Sequence, residues 1–78
     1  MIVYDPFWET LKRSGFSTYV LIKEYRISSS TIDKLRNNKP ISITTLNDLC
    51  RILKCRVEEV VVYVPSDEDQ PLFWKERD

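Results

Sequence analysis

Apolar residues recur at helical spacing through most of the chain, and the first such segment follows Asp5-Pro6. Phe7, Trp8 and Leu11 form one apolar stripe, and Gly15 follows them. Aspartate is a favoured N-cap, proline fits the first helical position, and glycine adopts the left-handed conformation that ends many helices. The pattern therefore predicts a first helix that Asp5 caps and Gly15 ends.

A short amphipathic segment comes next, with Leu21, Ile22 and Tyr25 on one face. Ser17 precedes it, and serine readily accepts a hydrogen bond from a free N–H group of a first helical turn. We expect a second helix that Ser17 caps and that ends near Tyr25. The chain then turns at residues 26–27.

A third segment is anchored by Ile32 and Leu35, which fall one helical turn apart. Ser28 is placed to cap it. Asn37-Asn38 should end it, because asparagine tolerates the left-handed conformation and Pro40 prevents continuation. We expect this third helix to span about residues 28–38.

The fourth helix has the clearest periodicity, and Ser42 is available as its cap. Its apolar positions are Ile43, Leu46, Leu49, Cys50 and Leu53. Beyond it, residues 57–61 suit a short fifth helical turn, and the β-branched residues up to Pro65 suit an extended piece. Residues 2–4 are also strand-like, and the two extended pieces could pair within one chain or across a dimer. We therefore predict an all-α bundle of five helices with short terminal strands.

The outward face of the third helix is small and polar. It consists of Ser29, Ser30, Asp33, Lys34 and Asn37. Such side chains can read base edges in a major groove by hydrogen bonds, and Asp33 could accept from a cytosine amino group. Each also has an ordinary role, since serines are common in first helical turns and charged residues are common on solvated faces.

Composition limits the function further. The 78 residues include two cysteines, one glycine and no histidine. A zinc site of the common kinds, a glycine-rich phosphate loop and a histidine-based catalytic centre are therefore not expected, and we predict a protein that is not an enzyme and needs no cofactor or metal. No apolar run approaches a membrane span, so we expect a cytoplasmic protein that makes no membrane contact. No residue pattern points to a small-molecule substrate.

Charge divides the chain in two. Residues 1–64 hold ten Lys/Arg against seven Asp/Glu, whereas residues 65–78 hold two against five, so the net charges are +3 and −3. Segment 17–39 alone also carries +3, which favours a polyanionic partner. Segment 17–39 also holds two short amphipathic segments separated by a few residues, which is the layout of a helix-turn-helix. We therefore predict a helix-turn-helix domain over residues 1–65 and, over residues 66–78, an acidic linker with an apolar C-terminal tail containing Leu72-Phe73-Trp74.

The run LIKEYRISSSTIDKL, from Leu21 to Leu35, resembles the lambda-repressor/Cro-type, or XRE-family, helix-turn-helix transcriptional regulators. The resemblance extends from about Tyr4 to Pro65 and is strongest to the compact single-domain members found in Gram-positive bacteria and their mobile elements. It implies a five-helix, lambda-repressor-like bundle in which helix 3 enters the major groove and helix 2 lies across the DNA backbone.

The resemblance also implies roles for individual residues. Ser29, Ser30 and Lys34 match base-contacting positions, with Asp33 on the same face, whereas Thr18 and Asn37 match phosphate contacts. Ser17, Tyr19 and Lys39 lie nearby and could add backbone contacts.

Two positions depart from the family pattern. Ile22 stands where a small residue is usual, and Arg26 stands where glycine is usual. A larger residue at position 22 must push the helices slightly apart or rotate them. Arg26 must either adopt a left-handed conformation or reshape the turn.

These observations lead to two functional hypotheses. The first is a sequence-specific transcriptional regulator that binds double-stranded DNA, acting as a homodimer on a palindromic operator. The alternative is a protein-interaction module on the same scaffold, such as an antitoxin or an excision accessory factor of a mobile element. Neutral overall charge, the acidic tail and its apolar end support the alternative.

Overall fold

The computed structural model describes residues 1–66 and shows a mostly helical domain with a short two-stranded sheet. Its elements are α1 Asp5–Ser14, α2 Thr18–Tyr25, α3 Ser29–Arg36 and α4 Ile43–Leu53, with strands β1 Ile2–Val3 and β2 Val62–Tyr63. The predicted fifth helix is only a 3₁₀ turn, Val57–Glu59, so the described residues contain four α-helices. The predicted apolar tail lies outside the described residues.

Three helices begin at the serines that the sequence indicates. In each case the serine Oγ accepts a hydrogen bond from the backbone N–H three residues later, at 3.2 Å for Ser17, 3.1 Å for Ser28 and 3.0 Å for Ser42. Each cap satisfies a donor that would otherwise lack a partner inside its helix. The predicted starts of α2, α3 and α4 are therefore confirmed.

The start of α1 differs from the prediction by one residue. Asp5 lies inside the helix, and the N-cap is Tyr4, which makes no side-chain capping bond. The Tyr4 carbonyl instead accepts from the N–H of Phe7 at 2.9 Å. The Asp5 carboxylate still favours the helix, because negative charge in a first turn complements the helix dipole. Gly15 ends α1 in the left-handed conformation (φ 79°), as predicted.

One hydrophobic core draws residues from all four helices and from the segments beside the sheet. Its buried members are Tyr4, Phe7, Leu11, Leu21, Ile27, Ile32, Leu35, Leu49, Leu53 and Val60. Two predicted inward positions are wrong. Tyr25 is exposed and packs on Phe16 at the surface, and Ile43 is 79% exposed because the first residue of α4 extends beyond the core.

The terminal strands pair within the chain, which decides between the two arrangements that the sequence left open. β1 and β2 are antiparallel, with Ile2 opposite Tyr63 and Val3 opposite Val62. The N–H of Val64 continues the ladder by donating to the Met1 carbonyl at 2.8 Å. The two strands form a short ribbon that joins the two ends of the described chain next to the start of α1.

The two cysteines meet where α4 ends. Lys54 adopts the left-handed conformation, and the N–H of Cys55 donates to the Cys50 carbonyl at 3.0 Å, so the chain folds back on the last helical turn. Both cysteines are free and half-buried. Burial, followed by the neighbouring Cys50, raises the pKa of the Cys55 thiol from 9.0 to about 11.

This raised pKa predicts a loss of stability in alkali. A thiol whose pKa is higher in the folded state stabilises the fold below its unfolded pKa, and the contribution is lost as the pH rises toward the folded value. We therefore expect the midpoint of thermal unfolding to fall as the pH rises from about 9 to about 11, under reducing conditions. Circular dichroism of the native protein and Cys55→Ala measures this fall, and an equally steep curve for the variant would contradict the assignment.

Among residues 1–66, no helix has the length and apolar character needed to cross a membrane.

Candidate nucleic-acid interface

The turn between α2 and α3 depends on a left-handed arginine. Arg26 has φ 60° and ψ 29°, and its backbone N–H donates to the Leu21 carbonyl. The N–H of Ile27 donates to the same carbonyl at 3.0 Å, and the Ile27 side chain is buried. Of the two outcomes that the sequence allowed, Arg26 therefore adopts the left-handed conformation and does not reshape the turn. The connection between α2 and α3 stays as short as one with glycine at this position.

Helix α3 is held by two buried side chains and presents a polar face outward. Ile32 is 2% exposed and Leu35 is 1% exposed. The four predicted base-contacting side chains are all solvent-exposed: Ser29, Ser30, Asp33 and Lys34. The structure thus brings these four together on one accessible helix, as the apolar spacing indicated.

Local contacts restrain two of these four side chains. Ser30 Oγ lies 3.2 Å from the capping hydroxyl of Ser28. The Asp33 carboxylate lies 3.8 Å from a guanidinium nitrogen of Arg36, whose guanidinium carbon sits 5.6 Å from the centre of the Trp8 ring. Both members of the ion pair are more than half exposed, so the pair contributes little stability, although it offsets part of the negative charge of Asp33.

The predicted phosphate-contacting residues of α2 lie around its N-terminus. Ser17 and Tyr19 are exposed, and Thr18 is half-buried. Ser17 Oγ accepts the capping bond from Val20, so its own hydroxyl hydrogen can still donate. The ammonium nitrogen of Lys23 lies 6.0 Å from the centre of the Tyr19 ring. This end of the helix therefore offers hydroxyl donors next to a cation.

The other two predicted phosphate-contacting residues follow α3. The Asn37 side-chain amide donates to the Asp33 carbonyl at 2.9 Å, which uses one of its two hydrogens. Asn38 is left-handed (φ 53°), and the exposed Lys39 comes next. The backbone N–H of Lys39 donates to the Lys34 carbonyl at 2.9 Å, so the segment turns tightly against the end of the helix.

Sequence reasoning missed a residue that fixes this segment. The Tyr4 hydroxyl donates to the Lys39 carbonyl at 2.7 Å, and the Tyr4 N–H donates to Asn38 Oδ1 at 3.0 Å. The sequence marked position 4 only as strand-like and as the start of the family resemblance. No local pattern links it to residues 38 and 39, because the contact joins segments far apart in the chain.

Positive charge surrounds these side chains. Five exposed cations lie within residues 17–39, against two acidic residues, Glu24 and Asp33. The cations are Lys23, Arg26, Lys34, Arg36 and Lys39. By contrast, residues 1–66 contain no group of three or more cysteine, aspartate or glutamate side chains placed to hold a metal ion. The chemistry of the surface suits a polyanion with hydrogen-bonding groups.

Comparison with known families decides the class of this domain. The model of the Cro/C1-type helix-turn-helix DNA-binding domain matches residues 7–66. The chain belongs to this family. The match includes α2, the turn at Arg26 and α3, and it extends through α4 to the end of the described residues.

A solved structure agrees with this assignment. The crystal structure of the transcriptional regulator VanUg, in its form II, aligns with this Cro/C1-type domain at a TM-score of 0.75 and 26% sequence identity. The alignment covers 83% of this chain and 87% of that chain. No curated protein matches the chain. Family and fold together make this domain a DNA-binding protein of the type that regulates transcription.

Proposed function

We propose that α3 enters the major groove of duplex DNA and that α2 lies across the backbone, so that the protein regulates transcription at specific sequences. The observation that carries this proposal is the exposed polar face of α3. Ile32 and Leu35 fix the helix from below, and small hydrogen-bonding side chains cover its outer side. A face of this kind can approach base edges without an apolar side chain in the way.

The proposed base readers are Ser29, Ser30, Asp33 and Lys34. Lys34 is the strongest candidate, because a lysine donates to the acceptors that guanine presents in the major groove. Asp33 would accept from a cytosine amino group, and its pairing with Arg36 reduces repulsion from nearby phosphates. A serine hydroxyl can hydrogen-bond to either kind of base pair, so we expect the two serines to contribute less discrimination than Lys34.

The proposed phosphate contacts flank these readers on both sides. Ser17, Thr18 and Tyr19 supply hydroxyl donors at the start of α2, and Asn37 and Lys39 supply donors after α3. Contacts of this type set the register of a protein on DNA and most of its affinity, but they do not read sequence. The residues at the start of α2 and those after α3 would bind the DNA backbone on either side of the groove that α3 occupies.

We further propose that the DNA-bound form is a homodimer. A single domain with a charge of +3 over residues 1–64 has modest attraction for DNA. Two copies on a palindromic operator would place their recognition helices about 34 Å apart and combine two half-sites. Footprinting on a selected operator tests the spacing.

One observation favours the alternative of a protein-interaction module. A groove of about 470 Å³ opens beside the ribbon, and Ile43, at 79% exposure, lines its edge. Tyr63 is 61% exposed nearby on β2. An apolar surface of this kind is typical of a protein contact, and it lies on elements other than α3.

A salt series separates the two functions. We expect affinity for duplex DNA to fall steeply with salt, because each phosphate neutralised by a cation contributes about −0.9 to the slope of log K against log salt concentration. If all five cations of segment 17–39, and no others, neutralise phosphates, the magnitude of this slope is about 4.5 per domain. Fluorescence anisotropy with a labelled duplex selected from a random pool measures it. A folded protein that binds no duplex at low salt would leave the protein-interaction module as the better hypothesis.

A further inference from the structure

Tyr4 joins the N-terminal end of the domain to the segment that follows the recognition helix. Its hydroxyl donates to the Lys39 carbonyl at 2.7 Å, and its N–H donates to Asn38 Oδ1 at 3.0 Å. The side chain itself is 3% exposed. The buried Tyr4 therefore holds both Asn38 and Lys39, the first through its backbone N–H and the second through its hydroxyl.

These bonds leave the Lys39 backbone little freedom. Its N–H donates to the Lys34 carbonyl of α3 at 2.9 Å, and its carbonyl receives the Tyr4 hydroxyl. The left-handed Asn38 precedes it, and Pro40, which restricts the conformation of the residue before it, follows it. Both peptide groups of Lys39 are thus held while its side chain stays in solvent.

We propose that Tyr4 is a positioning residue for DNA binding, which sets the point from which the Lys39 ammonium reaches a phosphate. The inference rests on the proposed function, in which Lys39 contacts the DNA backbone. Lysine loses conformational freedom when it forms a fixed contact, and a backbone that is already ordered lowers that cost. Tyr4 acts through Lys39 and does not itself touch DNA.

The Tyr4 hydroxyl is suited to this role at ordinary pH. Burial raises its pKa, and an opposing hydrogen bond from the Ile41 backbone only partly offsets the effect. The hydroxyl therefore keeps its proton near neutrality and donates to Lys39 throughout the range in which DNA binding is measured. The ring packs in the core separately from the hydroxyl, so the two contributions can be separated by substitution.

Tyr4→Phe removes the hydroxyl bond and keeps the ring. We expect it to weaken binding to a selected operator duplex by about 3- to 10-fold. Lys39→Gln should lose about one phosphate contact, and so about one unit from the magnitude of the slope of log K against log salt concentration. We expect Tyr4→Phe to lower the magnitude of this slope toward the value for Lys39→Gln. Tyr25→Phe is the matched control, because Tyr25 is exposed and its ring contact with Phe16 does not need the hydroxyl. Anisotropy titrations at several salt concentrations measure affinity and slope together.

The salt slope distinguishes positioning from general loss of stability. If Tyr4→Phe binds as native, or weakens binding at an unchanged slope, the inference is overturned. Should Tyr4→Phe fail to fold, Asn38→Gly tests the second Tyr4 bond, since glycine accepts the left-handed conformation but offers no side-chain oxygen to the Tyr4 N–H. Native affinity and slope for Asn38→Gly would then overturn the inference. A normal slope for Lys39→Gln would instead contradict the phosphate role of Lys39 within the proposed function.

Discussion

Leu35→Ala is expected to lower the free energy of unfolding by about 2–5 kcal/mol. Leu35 is 1% exposed and is one of the two side chains that hold α3 on the core. Its truncation leaves a cavity under the recognition helix, and a small domain has little stability in reserve. Urea denaturation followed by circular dichroism measures the change, and we expect part of the population to be unfolded at 37 °C.

Ile43→Ala is the matched control for this effect. It removes a similar aliphatic group from a helix, but Ile43 is 79% exposed, so we expect a change within about 0.5 kcal/mol. Equal losses in the two variants would show that burial does not set the cost at these sites. A stable Leu35→Ala protein would mean that α3 is held mainly by its backbone and caps.

Lys34→Gln is expected to weaken specific DNA binding by about 5- to 150-fold, the equivalent of about 1–3 kcal/mol for a lost base contact. Lys34 is exposed on the outer face of α3, away from the buried side chains that anchor the helix. Glutamine keeps most of the length and helix propensity but removes the charge. Anisotropy titration against the selected operator, and against a duplex changed at one base pair, measures affinity and discrimination.

Lys54→Gln controls for the loss of one positive charge. Lys54 is exposed at the end of α4 and lines a pocket with Arg13 and Glu59, and no residue that lines this pocket is a proposed DNA contact. We expect this variant to bind with nearly native affinity. If both variants lose affinity equally, Lys34 contributes only to the general field of the protein, and sequence must be read by other side chains.

Elements set by local chemistry could be predicted from the sequence. Ser17, Ser28 and Ser42 all cap the helices that they precede, and Gly15 and Asn38 take the left-handed conformations expected of them. Each depends on a bond or a backbone preference within a few residues. The exposed face of α3 followed in the same way, because Ile32 and Leu35 determine which side of the helix is buried.

Features that depend on distant contacts could not be predicted. The start of α1 was placed at Asp5, but Tyr4 is drawn into the core and takes the N-cap. Ile43 fits the apolar spacing of α4, but the spacing alone does not show that the first residue of this helix lies beyond the core. The predicted fifth helix is a 3₁₀ turn whose Glu59 carbonyl accepts from Thr10 Oγ1, a residue of α1, at 2.7 Å, and the chain then enters β2.

In the candidate site, too, local features could be predicted from the sequence and features that depend on distant contacts could not. The polar residues of α3 were found from their spacing, whereas Arg26 was recognised only as a departure whose outcome needed the structure. Its left-handed conformation costs roughly 1 kcal/mol, which the fold accepts because two amides converge on the Leu21 carbonyl. The support that Tyr4 gives to Lys39 had no counterpart in any local pattern.

The ribbon also bears on the order in which the domain folds. Its partners, residues 2–3 and 62–63, come from opposite ends of the described chain, so pairing them early would close a very long loop for a few hydrogen bonds. The helices follow one another closely in the chain, so they can dock on one another by closing much shorter loops first. The strands would then meet last, on a nearly complete core, and Tyr4, which follows β1 directly, would lock the segment after α3 only at that final step.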